Sequence, residues 1–216
     1  MMRIFAPQLM RSHIMPTVKL ISVVIVAAAM LLLIAQGAVA QQAATHESVL
    51  QFDPAKSVAN ITLTGNFHTV EGSFHLKRGL LRYDATSGAV SGEIVFDATS
   101  GKTDNDSRDR KMHKDVLESA RFPEISFRAS HAEGTLAASA DSTVQVHGFF
   151  SIHGVEHEVT FPVQMKVEGD HWTATSSFTV PYVKWGLKNP SVLFLRVADE
   201  VNVELHAVGT LGIHNR

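Results

Sequence analysis

The chain has no cysteine among its 216 residues. That removes disulfides, thiolate metal sites, thiol nucleophiles and haem attachment through C-x-x-C-H in one stroke, and leaves the apolar core and the backbone hydrogen bonds to supply stability. No G-x-S-x-G elbow, S-x-x-K pair or glycine-rich phosphate loop is present, so the usual signatures of nucleophilic hydrolysis and nucleotide binding are missing. Positive charge is not in excess either. With 19 Lys+Arg against 21 Asp+Glu, the sequence lacks the basic footprint that nucleic-acid binding needs.

Long hydrophobic runs are lacking too, with one exception. Residues 20–35 form an apolar stretch of 16 broken only by Ser22, shorter than the roughly 20 residues of a membrane-spanning helix. Arg3, Arg11 and Lys19 precede or open it without any acidic residue, and Ala38-Val39-Ala40 follows it. Basic region, short apolar region and small-x-small site are the order of a secretory signal peptide; the alternative is a retained anchor. The expectation is a cleaved leader over residues 1–40 and one domain over residues 41–216, with Met10 or Met15 as alternative starts of translation. Three of the cations fall in the leader, so the domain carries 16 Lys+Arg against 21 Asp+Glu and is mildly acidic. Such a leader implies a periplasmic or secreted protein.

What the domain does have is a period of two. Val144, Val146, Phe150 and Ile152 alternate with Gln145, His147 and Ser151; Val159, Phe161, Val163, Met165 and Val167 share a face beyond the turn at Gly154. Two such runs across a short glycine-containing connection predict an antiparallel hairpin. The pattern recurs at Val70, Phe74 and Leu76, in a run ending at Arg78-Gly79 with Leu81 and Tyr83 beyond it. It recurs again at Val90, Ile94 and Phe96; at Ile125 and Phe127 in a short strand after Pro123; at Trp172, Ala174, Ser176, Phe178 and Val180; and at Val201, Val203, Leu205 and Ala207. With segments 48–52 and 57–64 this predicts about eight to ten strands, an all-β antiparallel barrel or sandwich. Residues 107–119 break the alternation with dense charge and Met112, Val116 and Leu117 at helical spacing, which predicts a short surface helix capped by Ser107 with Asp109 in its first turn.

The apolar faces carry Phe74, Ile94, Phe96, Phe127, Val146, Phe150, Ile152, Phe161, Met165, Trp172 and Phe178 and no charge. Closing about eight strands gives an interior that side chains just fill or that holds one small ligand, and the periodicity does not choose between them. A hollow interior of this kind would suit a hydrocarbon, since burying apolar surface yields roughly 25 cal/mol per Å². Among polar features, His153 and His157 flank Gly154 but lack a third ligand and the H-E-x-x-H spacing of a zinc helix; they read as turn histidines. Arg108 and Asp109 lie in the most polar stretch of the chain, residues 103–109. They read either as solvated loop or as a pair that ties this excursion to the barrel rim or meets a ligand headgroup, for which the planar Arg fork is suited.

Residues 101–130 resemble the central signature of YceI-like proteins: Thr103 and Asp104, then Arg108-Asp109, a short helix, and Phe122, Pro123, Ile125, Phe127 and Ser130. Val146-His147-Gly148-Phe149-Phe150-Ser151-Ile152-His153-Gly154-Val155 is similar to the family's V-x-G-x-L-x-I-x-G-V hairpin, and Val70-Glu71-Gly72-Ser73-Phe74 to its early V-x-G-x-F element. The resemblance implies a lipocalin-like barrel of about eight strands with one inserted helix. It also implies that the barrel holds, without cofactor, metal or catalysis, an isoprenoid or quinone-type lipid, with any membrane contact transient and a dimer as compatible as a monomer. The alternative is a hydrolase or metal-dependent enzyme acting on an amphiphile in the same cavity. Two departures bear on the ligand: residues 60–65 offer no histidine where the family often has one, with His68 displaced, and Tyr182-Val183-Lys184-Trp185-Gly186-Leu187 stands where the family has Arg-x-x-Phe-Gly.

The leader makes one prediction of its own. Intact-mass analysis of the protein recovered from the cell envelope of its host should give an N-terminus at Gln41 or within a residue or two; a chain still carrying residues 1–40 would make the segment an anchor.

Overall fold

Alternating β-branched, aromatic and polar residues commit most of the domain to extended backbone, because such side chains fit a pleated, half-buried surface. The computed structural model describes residues 46–134 and 141–215. The leader and its Ala38-Val39-Ala40 site lie outside the described residues. Ten strands form: β1 (His46–Phe52), β2 (Val58–Thr64), β3 (Thr69–Asp84), β4 (Val90–Asp97), the two-residue β5 (Lys102–Thr103), β6 (Glu124–Glu133), β7 (Ser142–Ile152), β8 (Val155–Glu168), β9 (His171–Val180) and β10 (Val201–Asn215). Among the described residues one α-helix, α1 (Asp106–Lys111), follows β5.

All main pairings are antiparallel, in the order β10-β2-β3-β4-β6-β7-β8-β9, and β9 pairs back onto β10 from Val201↔Val180 to Thr210↔His171. The sheet is therefore a closed eight-stranded barrel. β1 adds no ninth position. It runs in line with β2 between β3 and β10, pairing Phe52↔Gly209 where β2 takes over at Val58↔His206. The five residues 53–57 leave the sheet between the halves, and the buried Ser57 side chain repairs the gap: its hydroxyl donates to Val208 O at 3.3 Å and accepts from Val208 N at 3.1 Å. The connections β2–β3, β7–β8, β9–β10 and the long β4–β6 excursion containing α1 emerge at one end, the upper end; β3–β4, β6–β7 and β8–β9 turn at the lower end.

Three local expectations are corrected. The run through Val70, Phe74 and Leu76 does not end at Arg78-Gly79; β3 continues to Asp84, with a bulge between Leu76 and Arg78 that switches the inward positions from Leu76 to Gly79, Leu81 and Tyr83. A bulge adds one residue to one strand, so Lys77 and Arg78 both face outward and both reach Glu124 Oε1, at 2.8 and 2.9 Å. These two cations, Arg78 first, hold the Glu124 carboxyl down to about 2. The strand after Pro123 is not short, since β6 runs ten residues. The helix is capped by Asn105, whose side chain accepts from Arg108 N at 3.0 Å, not by Ser107; after Lys111 it widens into a π-turn, Met112–Val116.

The lower core gathers Leu50, Phe52, Leu81, Tyr83, Phe127, Phe161, Met165 and Trp172. Trp172, 2% exposed, meets Phe52 edge-to-face at 4.6 Å and donates its indole N–H to Thr210 O at 3.0 Å. Two glycines make room for this pair. A Cβ at Gly79 would stand 2.7 Å from the Phe52 ring, and one at Gly209 would stand 2.4 Å from Trp172 and 2.1 Å from Gln51 O. Forcing carbon into such a site costs about 1–3 kcal/mol. Gly209→Ala should therefore lower stability by at least that amount in denaturant unfolding, while Gly169→Ala at a turn with nothing nearby tests backbone strain alone.

Candidate functional site

Closing eight strands leaves this barrel hollow. A cavity of about 620 Å³ runs through it, within the range of roughly 300–1,000 Å³ usual for small-molecule sites. Its lining on β9 extends from Trp172 to Val180, about 26 Å at about 3.3 Å per residue, or about 20 Å along the axis once strands tilt by about 40°. Phe74, Ile94, Phe96, Phe127, Val146, Phe150, Ile152, Phe161, Met165, Trp172 and Phe178, the residues singled out from the sequence, all line it. Phe161 is the hub of the aromatics: its ring stacks on Phe178 at 4.5 Å and tilts against Phe127 at 4.9 Å. Phe150 lies 6.2 Å from Phe178 and 5.6 Å from Trp185.

The polar lining is concentrated at the upper end, where His68, Thr103, Asn105, Ser107, Arg108 and Lys111 reach the cavity. Arg108 and Lys111 are its cationic side chains. They sit three apart on α1, hence on one face, and that spacing is the signal by which Lys111 could have been found in the sequence. Below them, Met112, Val116 and Leu117 turn inward from the π-turn and join Phe74, Ile152, Val180, Tyr182 and Leu187 in a second core cluster.

Arg108 and Asp109 do not pair with each other; each has its own partners. Asp109 Oδ1 accepts from Thr103 N at 2.9 Å and from Thr103 Oγ1 at 2.6 Å, which ties α1 to β5 and through it to β3. Arg108 pairs with Asp104 and donates from Nε to Thr103 Oγ1 at 3.0 Å. Asp109 thus braces the rim, while Arg108 lines the mouth. A second brace comes from His113, whose ring bridges Gly101 O at 2.8 Å and Ser119 Oγ at 3.0 Å. A carbonyl only accepts, so Nε2 carries a proton, and in the neutral ring Nδ1 then accepts from the serine hydroxyl.

The other side of the mouth is the 20-residue connection between β9 and β10. Tyr182 anchors it by donating its hydroxyl to Ala198 O at 2.7 Å. Burial first, and the Asp199 carboxylate second, push the phenol up to about 12, so it remains a donor throughout the physiological range. Where the family has Arg-x-x-Phe-Gly, Trp185 stacks on His157 at 4.2 Å. His153 Nε2 lies 3.3 Å from Glu118 Oε1. Among the described residues no three His, Asp or Glu side chains converge as a metal site would require.

A closed antiparallel barrel around a long apolar cavity, with polar groups at one rim, defines a ligand-holding barrel of the lipocalin-like class. The YceI-like domain model matches residues 50–209, and the chain belongs to that family. BcnA of Burkholderia cenocepacia is similar in structure, with a TM-score of 0.61 and 22% identity over 74% of this chain and 99% of its own. So is a polyisoprenoid binding domain from Saccharophagus degradans implicated in plant cell wall breakdown, at TM-score 0.55 and 14% identity over 77% and 98%. No curated protein sequence matches the chain.

The split between Arg108 and Asp109 has a measurable outcome. Hydrogen bonds to a charged acceptor contribute about 1.5–3 kcal/mol, so Asp109→Ala should lower stability by about that much, and Arg108→Ala by less than 1 kcal/mol, as expected of a partly exposed pair. Denaturant midpoints of the two variants at neutral pH check the order.

Proposed function

We propose that the protein binds and carries an isoprenoid or quinone-type lipid, tail in the barrel and headgroup at the Arg108–Lys111 face of α1, in the periplasm or outside the cell. The observation that carries this reading is the polarity of the cavity. Its lower part is apolar and its cations stand together at one mouth, the distribution that an amphiphile with a long tail and an oxygen-rich head requires. Apolar burial supplies affinity at about 0.8 kcal/mol per CH₂, without any bond made to or broken in the ligand. The protein then acts by sequestration and not by catalysis, and the lipid is cargo held non-covalently. Membership of the YceI-like family supports the reading, as does the fold shared with a domain described as polyisoprenoid binding. The N-terminal leader pattern supports the location.

Native mass spectrometry followed by organic extraction should recover a prenyl lipid from protein purified without detergent. Geranylgeranyl phosphate and geranylgeraniol then separate tail from head. Arg108→Ala with Lys111→Ala should weaken the phosphate about tenfold, in line with the loss of one charge-assisted hydrogen bond, and leave the alcohol unchanged. A protein that retains neither compound overturns the proposal.

A further inference from the structure

The largest exposed apolar side chains among the described residues gather beside the mouth. Leu193 is 88% exposed, Phe194 82% and Phe67 71%, with Val192 and Leu195 about half exposed. Exposed apolar groups scattered singly are ordinary; a contiguous set is not. The Val192–Leu195 turn is closed by two hydrogen bonds, Val192 N to Leu195 O at 3.0 Å and Leu195 N to Val192 O at 2.8 Å. Leu193 sits at φ 45°, a left-handed conformation that a bulky side chain adopts at a cost.

Nor is this tip a loose loop. Asn66, next to Phe67, donates from Nδ2 to Phe194 O at 2.9 Å and accepts at Oδ1 from Arg196 N at 3.1 Å. Lys111 of α1 donates to Pro190 O at 2.7 Å. The β2–β3 hairpin, α1 and the β9–β10 connection are thereby joined around the opening. Pro190, Val192, Leu195 and Val197 also line the cavity, so apolar surface is continuous from the outer tip to the interior.

Charge selects the occupant. The upper-end connections, residues 65–68, 98–123, 153–154 and 181–200, carry nine Lys+Arg against seven Asp+Glu, whereas the rest of residues 41–216 carries seven against fourteen. The tip therefore projects from the weakly cationic pole of an otherwise acidic domain. Two copies meeting tip to tip would bring like charge together, while an anionic lipid surface offers both an apolar interior and compensating charge.

We propose that Leu193, Phe194 and Phe67 insert into the surface of an anionic phospholipid membrane, so that the cavity mouth opens onto the acyl region and cargo passes between bilayer and barrel without crossing water. The purpose of this docking rests on the lipid-carrier reading, but its test does not. Purified protein is sedimented with vesicles of phosphatidylethanolamine and phosphatidylglycerol, and its uptake of a dansyl-farnesyl probe is measured separately without vesicles. Wild type should bind the vesicles, and added salt should weaken binding by screening. The double variant L193D/F194D should bind roughly tenfold less, as expected when two apolar side chains no longer bury, yet take up the probe like wild type. F194W covers the case in which the charged variant misfolds: its fluorescence should shift to the blue on vesicles and be quenched by brominated acyl chains. Equal vesicle binding by wild type and L193D/F194D, a vesicle-insensitive F194W, or a dimer that L193D/F194D converts to monomer would each overturn the docking. Loss of probe uptake in wild type, with vesicle binding intact, would instead overturn the carrier reading alone.

Discussion

The structure depends on the seam between β9 and β10. Ten paired positions from Val201↔Val180 to Thr210↔His171 turn what would be an open sheet with two edges into a ring. An open edge exposes a row of unpaired amides and carbonyls, and closure pairs the two end strands with each other. The ladder is short between β8 and β9, which pair only from Gln164↔Thr175 to Glu168↔His171. The wall is thus held by its own ladder, with help from Ser57 where one strand is broken. Because the wall does not rely on a filled centre, the centre can stay hollow, and a protein without disulfides keeps a cavity of about 620 Å³.

The two ends of that wall are built to different rules. At the lower end, Phe52 and Trp172 interlock where Gly79 and Gly209 leave room, and the contacts are dispersive and tightly shaped. At the upper end the contacts are directional: Asp109 on Thr103, His113 on Gly101, Tyr182 on Ala198, Asn66 on Phe194. Packed aromatics close a floor. Hydrogen bonds hold an opening at fixed width without filling it, and they do so with side chains that leave the apolar lining unbroken.

Much of this wall is legible in the sequence because a strand repeats every two residues and one slip exchanges its faces. Phe127, Phe150, Phe161 and Trp172 come from four strands, and all four line the interior. What the alternation does not encode is anything set by a partner far along the chain. Ser57 answers to Val208, 151 positions away, and the bulge in β3 shows as a change of phase that reads like a turn. Whether the centre is hollow depends on the curvature of the closed ring, which no single strand records. The mouth was half legible. Arg108 and Asp109 stand out by polarity, but their different partners follow from the place where β5 meets β3, and the tip at Leu193-Phe194 has no periodicity to mark it.

The in-line arrangement of β1 and β2 has a further consequence for how the chain is made. β1, the first strand, lies against β10, the last, in the register His46↔Asn215 to Phe52↔Gly209, and β2 and β9 also need β10 for their second neighbour. A ribosome releases β10 after the other nine strands, so the nascent chain has no ring to close until then. Contacts this distant in sequence also form slowly. Until then the strands are an open curl with apolar faces uncovered, a form that must be kept from pairing with its neighbours.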